Sequence, residues 1–295
     1  MHYRTDLATE AVAVRGDLTA ADLQKTEEKR GKWRITRVRI GSDRAERLLG
    51  KPQGRYITVR LPSLPQETAA MSGAARLIGT ELAALLPPEG VVLVVGLGNP
   101  SLTADSLGPL TAGKVVATRQ PFGGETTLRP TAVLIPNVCG VTGLDSAEQV
   151  RATCDLLRPT AVIAVDALAA ASAEHLGVAV QLTDTGVSPG SGVGNHRSAI
   201  TAKTMGVPVI GLGIPTVVDA RTLVAELTGL ELTKRHLPPM NVTTQDIDLT
   251  VRQAARLLSM SIHAALHPEL PPERLTALAE YSRLFPHIVV WEVSG

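Results

Sequence analysis

The sequence predicts an α/β protein, a three-layer sandwich around a mostly parallel sheet, with an N-terminal extension that contains a β-hairpin. Three observations carry this expectation. From residue 91 onward, unbroken aliphatic runs alternate with stretches of helical period. Those runs are rich in β-branched residues, as strands buried on both faces of a parallel sheet must be. The first ninety residues are instead charged and strand-like in short pieces, so the chain divides into an extension over 7–88 and an α/β core over 89–295 that pack as one compact unit.

In chain order, WRITRVRI (33–40) and RYITVRL (55–61) read as two strands of a hairpin joined by a loop containing glycine and proline. Met71, Ala75, Ile78, Leu82 and Leu85 then recur at helical spacing across 66–86, and Pro87 and Pro88 end that helix. VVLVVGLG (91–98) is the first buried strand, followed by a helix from about 105 to 118. TAVLIP (131–136), a helix over 144–157 and TAVIAVD (160–166) come next. VAVQLTD (178–184) and VPVIGLG (207–213) complete the strands, and helices near 219–227, 244–266 and 272–284 close the chain. Strand–helix–strand units at this spacing imply right-handed crossovers, with working residues collected at the C-terminal ends of the strands.

Composition narrows the function classes. Phe, Tyr and Trp make up 2% of a chain that is 44% apolar, so the core is aliphatic. A net charge of +1 gives no reason to expect a nucleic-acid or charged-membrane partner, and the Lys- and Arg-rich segment over 25–60 reads as a solvated face or an acidic-partner surface. Cys139 and Cys154 form no CxxC pair, which points to a reducing compartment and away from a disulfide scaffold. The N-terminus has no apolar signal region, and no apolar run approaches the roughly 18 residues of a membrane span, so the expectation is a cytoplasmic enzyme.

Two aspartates are the leading chemical candidates. Asp105 closes the loop LGNPSLTAD after the first buried strand, and Asp166 ends the strand TAVIAVD. Either position also suits the N-cap of a following helix. A carboxylate finishing an apolar strand starts partly buried and needs a partner. Two such groups facing each other across one crevice cannot both ionise, so one becomes an acid and the other a base, as water-mediated amide hydrolysis requires.

The tract LTDTGVSPGSGVGNHR (182–197) holds three further patterns. Asp184, Thr185 and Gly186 spell the DTG of pepsin-like proteases, but the β-rich fold and the second such motif of those enzymes are missing. Gly186, Ser188 and Gly190 match the G-x-S-x-G elbow of serine hydrolases. That elbow needs a backbone N–H immediately after the serine, and Pro189 has none. Gly190, Ser191, Gly192, Gly194 and Asn195 match neither phosphate-binding glycine motif, and read instead as a loop that lets a peptide backbone approach the crevice. His196 and His175 read as surface or supporting histidines, and Asp219 as a helix cap or supporting partner.

Together these segments resemble the spore germination proteases, endopeptidases that degrade small acid-soluble spore proteins. The resemblance runs through RTDLATEA (4–11), VVGLGNPSLTADSLGP (94–109), GVTGLDSAE (140–148), VIAVDALAA (162–170), DTGVSPGSGVGN (184–195), GIPTVVDA (213–220) and HAALHP (263–268). It implies an atypical aspartic protease without cofactor or metal, similar in fold to the hydrogenase maturation peptidases, with Asp105 and Asp166 as catalytic pair. It also implies a zymogen that clips itself between Asp6 and Leu7, making 1–6 a candidate propeptide, and a homotetramer working in the spore core. Asp184, Gly190, Ser191, Gly192, Asn195 and His196 are the candidate substrate-binding or supporting residues. The sequence departs from the family pattern at Cys139 and Val141, where Met and Gln are usual, and at Ala171, where an Arg often stands. Two other readings use the same residues: a metal-dependent maturation-type peptidase, and a non-enzymatic small-molecule binder built on the glycine tract.

Overall fold

The computed structural model describes residues 5–13, 18–120, 128–188, 198–229 and 240–280. A short helix, α1 (Ala8–Ala13), precedes two antiparallel strands, β1 (Leu23–Arg30) and β2 (Trp33–Ile40). Helix α2 (Asp43–Leu49) follows, its first turn capped by the Ser42 side chain and its end closed by Gly50 at a left-handed φ of 64°. Then comes β3 (Gly54–Arg60), which pairs antiparallel with β2. The expected hairpin is therefore present, but as the inner part of a three-stranded meander with a helix in its connection. The sequence does not mark the outer strand, LQKTEEKR, because it is mostly charged, exposed and without apolar alternation. That composition suits an edge strand, where charge discourages pairing with another chain.

The remaining elements are α3 (Thr68–Ala83), β4 (Val92–Gly96), α4 (Leu107–Gly113), β5 (Thr131–Leu134), α5 (Cys139–Thr142), α6 (Ser146–Leu157), β6 (Ala161–Ala170), β7 (Ala179–Thr183), α7 (Ala202–Met205), β8 (Val209–Asp219), α8 (Ala220–Thr228), β9 (Asn241–Val242), α9 (Ile247–Leu266) and α10 (Pro272–Glu280). Among the described residues nine strands make one sheet in the order β1-β2-β3-β7-β8-β6-β4-β5, with β9 beside β8. Strands β5, β4, β6 and β8 run parallel, as their aliphatic composition predicts. Strand β7 is antiparallel to both β8 and β3, and so joins the N-terminal strands to the parallel part.

Alternation along the strands sorts side chains into two layers. Ile163, Val165, Leu182, Ile210 and Leu212 pack with Ile78 and Leu82 of α3 and Leu258 and Ile262 of α9. On the opposite face, Leu93, Val95, Val162, Ala164 and Val209 meet Val150 and Cys154 of α6 and Met205 of α7. This is the three-layer α/β sandwich expected from the sequence.

Two strands run further than expected. The sequence predicts a strand ending at Asp166, yet β6 continues to Ala170, with Ala167 to Ala170 opposite Ile214 to Val218 of an equally extended β8. Alanine-rich ALAA favours a helix locally, but pairing with β8 and burial override that preference. Asp166 therefore lies within a strand and caps no helix. The helix expected over 105–118 is the shorter α4.

Candidate active site

Asp105 is positioned by the chain that leaves β4. Leu97 N donates to Val165 O at 2.8 Å, extending the β4–β6 ladder by one bond. Gly98 then turns at a φ of 117°, and the chain returns through a 3-10 turn, Thr103–Asp105. A side chain at position 98 would collide with the Asp105 carbonyl oxygen, so the loop closes this tightly only over glycine. The Asp105 carboxylate accepts from Asn99 N at 2.8 Å. It thus fastens the loop backwards and does not cap α4, whose cap position holds Ser106 without a side-chain bond. Thr216 of β8, buried, donates its hydroxyl to Ala104 O at 2.6 Å and pins the same turn.

Asp166 is 8% exposed, and one of its oxygens accepts from Ala167 N at 2.9 Å. It stands opposite Gly213 of β8, and Gly213 stands opposite Gln181 of β7. Residues paired across neighbouring strands point to the same face, so the Asp166 and Gln181 side chains rise from one row with a glycine between them.

Asp105 and Asp166 both line a cavity of about 770 Å³ where β4 and β6 approach their C-terminal ends, together with Thr183, Gly211, Gly213 and Thr216. Asp6 and Lys51 also line it. Asp6 is held by backbone bonds on the free side of β6: its N–H donates to Ala169 O, and Ala169 N donates to the Asp6 carboxylate, each at 2.8 Å. Gln181 Nε2 donates to Asp6 O at 2.6 Å, and Gln181 Oε1 accepts from Ala8 N at 2.7 Å. Leu7 between them is fully buried against Ala170, Ala179 and Val218. Of the two residues of the candidate processing site, Asp6 lines the cavity that the two aspartates line, and Leu7 is buried next to it in the apolar cluster.

Glu10 anchors the same segment. Its carboxylate accepts from Ala171 N at 2.8 Å and Ser172 N at 3.0 Å, pairs with His175 Nδ1 at 2.7 Å, and receives the Thr5 hydroxyl. Burial works against its ionisation most strongly, but the bonds from His175, Thr5, Ala171 and Ser172 together hold its carboxyl below the ordinary value. Burial pushes the Lys51 ammonium down, opposed in part by the charges of Asp6 and Glu10.

The other sequence candidates distribute unevenly. Asp184 lies outside the cavity lining; it accepts from Arg55 N and from Arg55 Nε, both at 2.7 Å, as a strand-end ion pair. His175 follows β6 in a 3-10 turn and supports Glu10. Asp219 caps α8, accepting from Arg221 N at 3.0 Å and Thr222 N at 3.1 Å, as the sequence suggested. Gly190, Ser191, Gly192, Asn195 and His196 lie outside the described residues. Cys139 and Val141 are exposed, and Ala171 offers its backbone N–H to Glu10.

Sequence reasoning passed over Gln181, Thr216, Glu10 and Lys51. For the first two a signal existed: each is a polar side chain inside an apolar strand, and a buried polar group demands a partner. Lys51 lies in a loop with glycine and proline and Glu10 on a short helix, both ordinary places for a charged residue, and nothing local marks them.

Comparison with known proteins gives one consistent result. A family profile described as germination protease matches residues 7–238. The chain is similar to the germination protease of Caldanaerobacter subterraneus subsp. tengcongensis, at 35% identity over 93% of this chain and 97% of that protein. It is similar to that of Clostridium tetani, at 30% identity over 94% and 99%, and to that of Oceanobacillus iheyensis, at 38% over 76% and 66%.

Proposed function

The chain belongs to the germination protease family, and from that premise we propose an endopeptidase of spore germination whose acid and base are Asp105 and Asp166. One observation supports the pair above all others: both aspartates line a single cavity, which Asp6 also lines. Each is oriented by a backbone N–H, from Asn99 and Ala167 respectively.

In this mechanism one carboxylate is ionised and the other protonated, because two like charges in one cavity do not both persist. The ionised group takes a proton from water as the water oxygen bonds to the carbonyl carbon. The protonated group gives its proton to the carbonyl oxygen, producing a neutral diol. In the second half the first carboxyl passes its proton to the departing nitrogen, the C–N bond breaks, and the second carboxylate recovers a proton from the diol as the carbonyl re-forms. Water is consumed and both carboxyls return to their starting states.

The substrate class is the small acid-soluble spore proteins. The enzyme is made as a zymogen that cuts its own Asp6–Leu7 bond, and works without cofactor as a homotetramer in the spore core. The place of Asp6 in the cavity lining, its carbonyl held by Gln181, supports self-processing. Incubation of the purified chain with a small acid-soluble spore protein tests the pair. Asp105→Asn and Asp166→Asn are each expected to lower cleavage by at least about 10²-fold, the scale of acid–base catalysis. Wild-type rates in both variants overturn the mechanism, and loss of activity with a chelator overturns its metal independence.

A further inference from the structure

Resting on that reading, we propose that Gln181 is a further catalytic residue of the site, its amide N–H holding the carbonyl oxygen of the bond to be cut. Gln181 lies between Val180 and Leu182 in the apolar strand β7 and is 6% exposed. A buried amide there is costly unless both its ends are bonded. Both ends are bonded, to the same short segment: Nε2 reaches Asp6 O at 2.6 Å, and Oε1 takes the N–H of Ala8 at 2.7 Å. The side chain thus clamps the backbone on either side of Leu7, and the oxygen it grips belongs to the Asp6–Leu7 peptide bond.

The register across the sheet gives this clamp its chemical place. Gln181, Gly213 and Asp166 stand in one row on three successive strands and face the same side. At the usual strand spacing the backbones of the outer two are roughly 10 Å apart. The floor between them is glycine, and a side chain on it would collide with the Asp166 carbonyl oxygen and the Leu168 side chain. An extended peptide lying over this floor has an amide donor on one flank and a carboxylate on the other. A carbonyl oxygen has two lone pairs, so Gln181 and a carboxylic acid can hold it together. As water attacks, negative charge grows on that oxygen, and a donor already in place stabilises it without reorganisation.

A plain anchor for the N-terminal segment accounts for the same two hydrogen bonds, and self-cleavage separates the roles. The full chain is followed by mass spectrometry for the first-order cut at Asp6–Leu7, in wild type, Gln181→Glu, Gln181→Met and Asp166→Asn. Gln181→Glu retains the acceptor for Ala8 N–H but carries no donor when ionised. It is expected to cut about 10²- to 10³-fold more slowly at pH 7, as when an oxyanion donor is removed. The gap to wild type is expected to shrink as the pH falls and the new carboxyl gains a proton to donate. Gln181→Met keeps the volume and needs no partner, so it stays folded if a buried carboxylate proves disruptive, and it is expected to lose a similar factor at every pH. A wild-type cut that Asp166→Asn abolishes, but that both Gln181 variants leave within about threefold, overturns this role alone. Absence of any cut in the wild type removes the self-processing reading and this role with it, while cleavage of a small acid-soluble spore protein still tests the protease.

Discussion

His263 and His267 stack on α9 with ring centroids 6.4 Å apart, and both are buried. His263 Nε2 donates to Lys114 O at 3.3 Å, and His267 Nδ1 accepts from Arg129 N at 3.3 Å, which only a neutral His267 ring can do. Burial is the main force pushing both down to about 4. The unfolded chain titrates its histidines near 6.5, so between roughly pH 6.5 and 4 it binds protons that the folded chain refuses. Stability is therefore complete above about 6.5 and falls as the pH drops towards 4, by up to about 3 kcal/mol for each group. Urea midpoints are expected to decline across that window, and His263→Gln is expected to flatten the decline. A midpoint independent of pH from 7 to 4.5 contradicts this assignment. At the residue scale the two candidate aspartates are visible in the sequence because Asp105 closes the loop after an apolar strand and Asp166 interrupts one. Gln181 carried only the weaker mark of a polar residue in such a strand, since its partners come from a segment far away in the chain.

The element that matters most to the site is α4, which lies unusually close to the sheet. A Cβ on Gly108 would strike the carbonyl oxygens of Leu97 and Val165, and one on Gly96 would strike the Gly108 carbonyl and the Ala112 side chain. The glycines let helix and strands touch by backbone, and the turn carrying Asp105 rides on that contact. Gly108→Ala forces α4 to move away from β4 and β6, at about 1–3 kcal/mol by the usual cost of overpacking. Guanidinium unfolding is expected to read that loss, and cleavage is expected to fall further than stability because Asp105 shifts with the helix. Equal activity in wild type and variant would show that the turn is held independently of α4. The same scale shows why part of the site was hidden. The ALAA tail of β6 looks helical by itself, and only its pairing with β8 makes it a strand. That extension creates the free backbone groups of Ala169 on which Asp6 docks.

Across the molecule, the N-terminal strands and the parallel sheet are one structure. β3 pairs with β7 from Tyr56–Thr183 to Arg60–Ala179, and Arg37 on β2 reaches the buried Glu81 of α3 through two bonds, one at 3.0 Å. Glu81 is 5% exposed, so removing its partner strands a charge in the interior. Arg37→Leu is expected to cost about 3 kcal/mol, the lower end for breaking a buried pair, because Arg37 itself remains partly solvated. Thermal unfolding measures it, and a loss under about 0.5 kcal/mol would mean that Glu81 finds other solvation.

The sequence by itself determined the layers, the aliphatic core, the order of most strands and helices, the two aspartates and the family resemblance. These are readable because alternation, helical period and short motifs lie within a few neighbouring residues. Tertiary structure alone decided the row of Gln181, Gly213 and Asp166, and the seating of Asp6 at the cavity with Leu7 buried beside it. Strand order and register arise from hydrogen bonds between segments remote in the chain, and no local pattern in either partner encodes them.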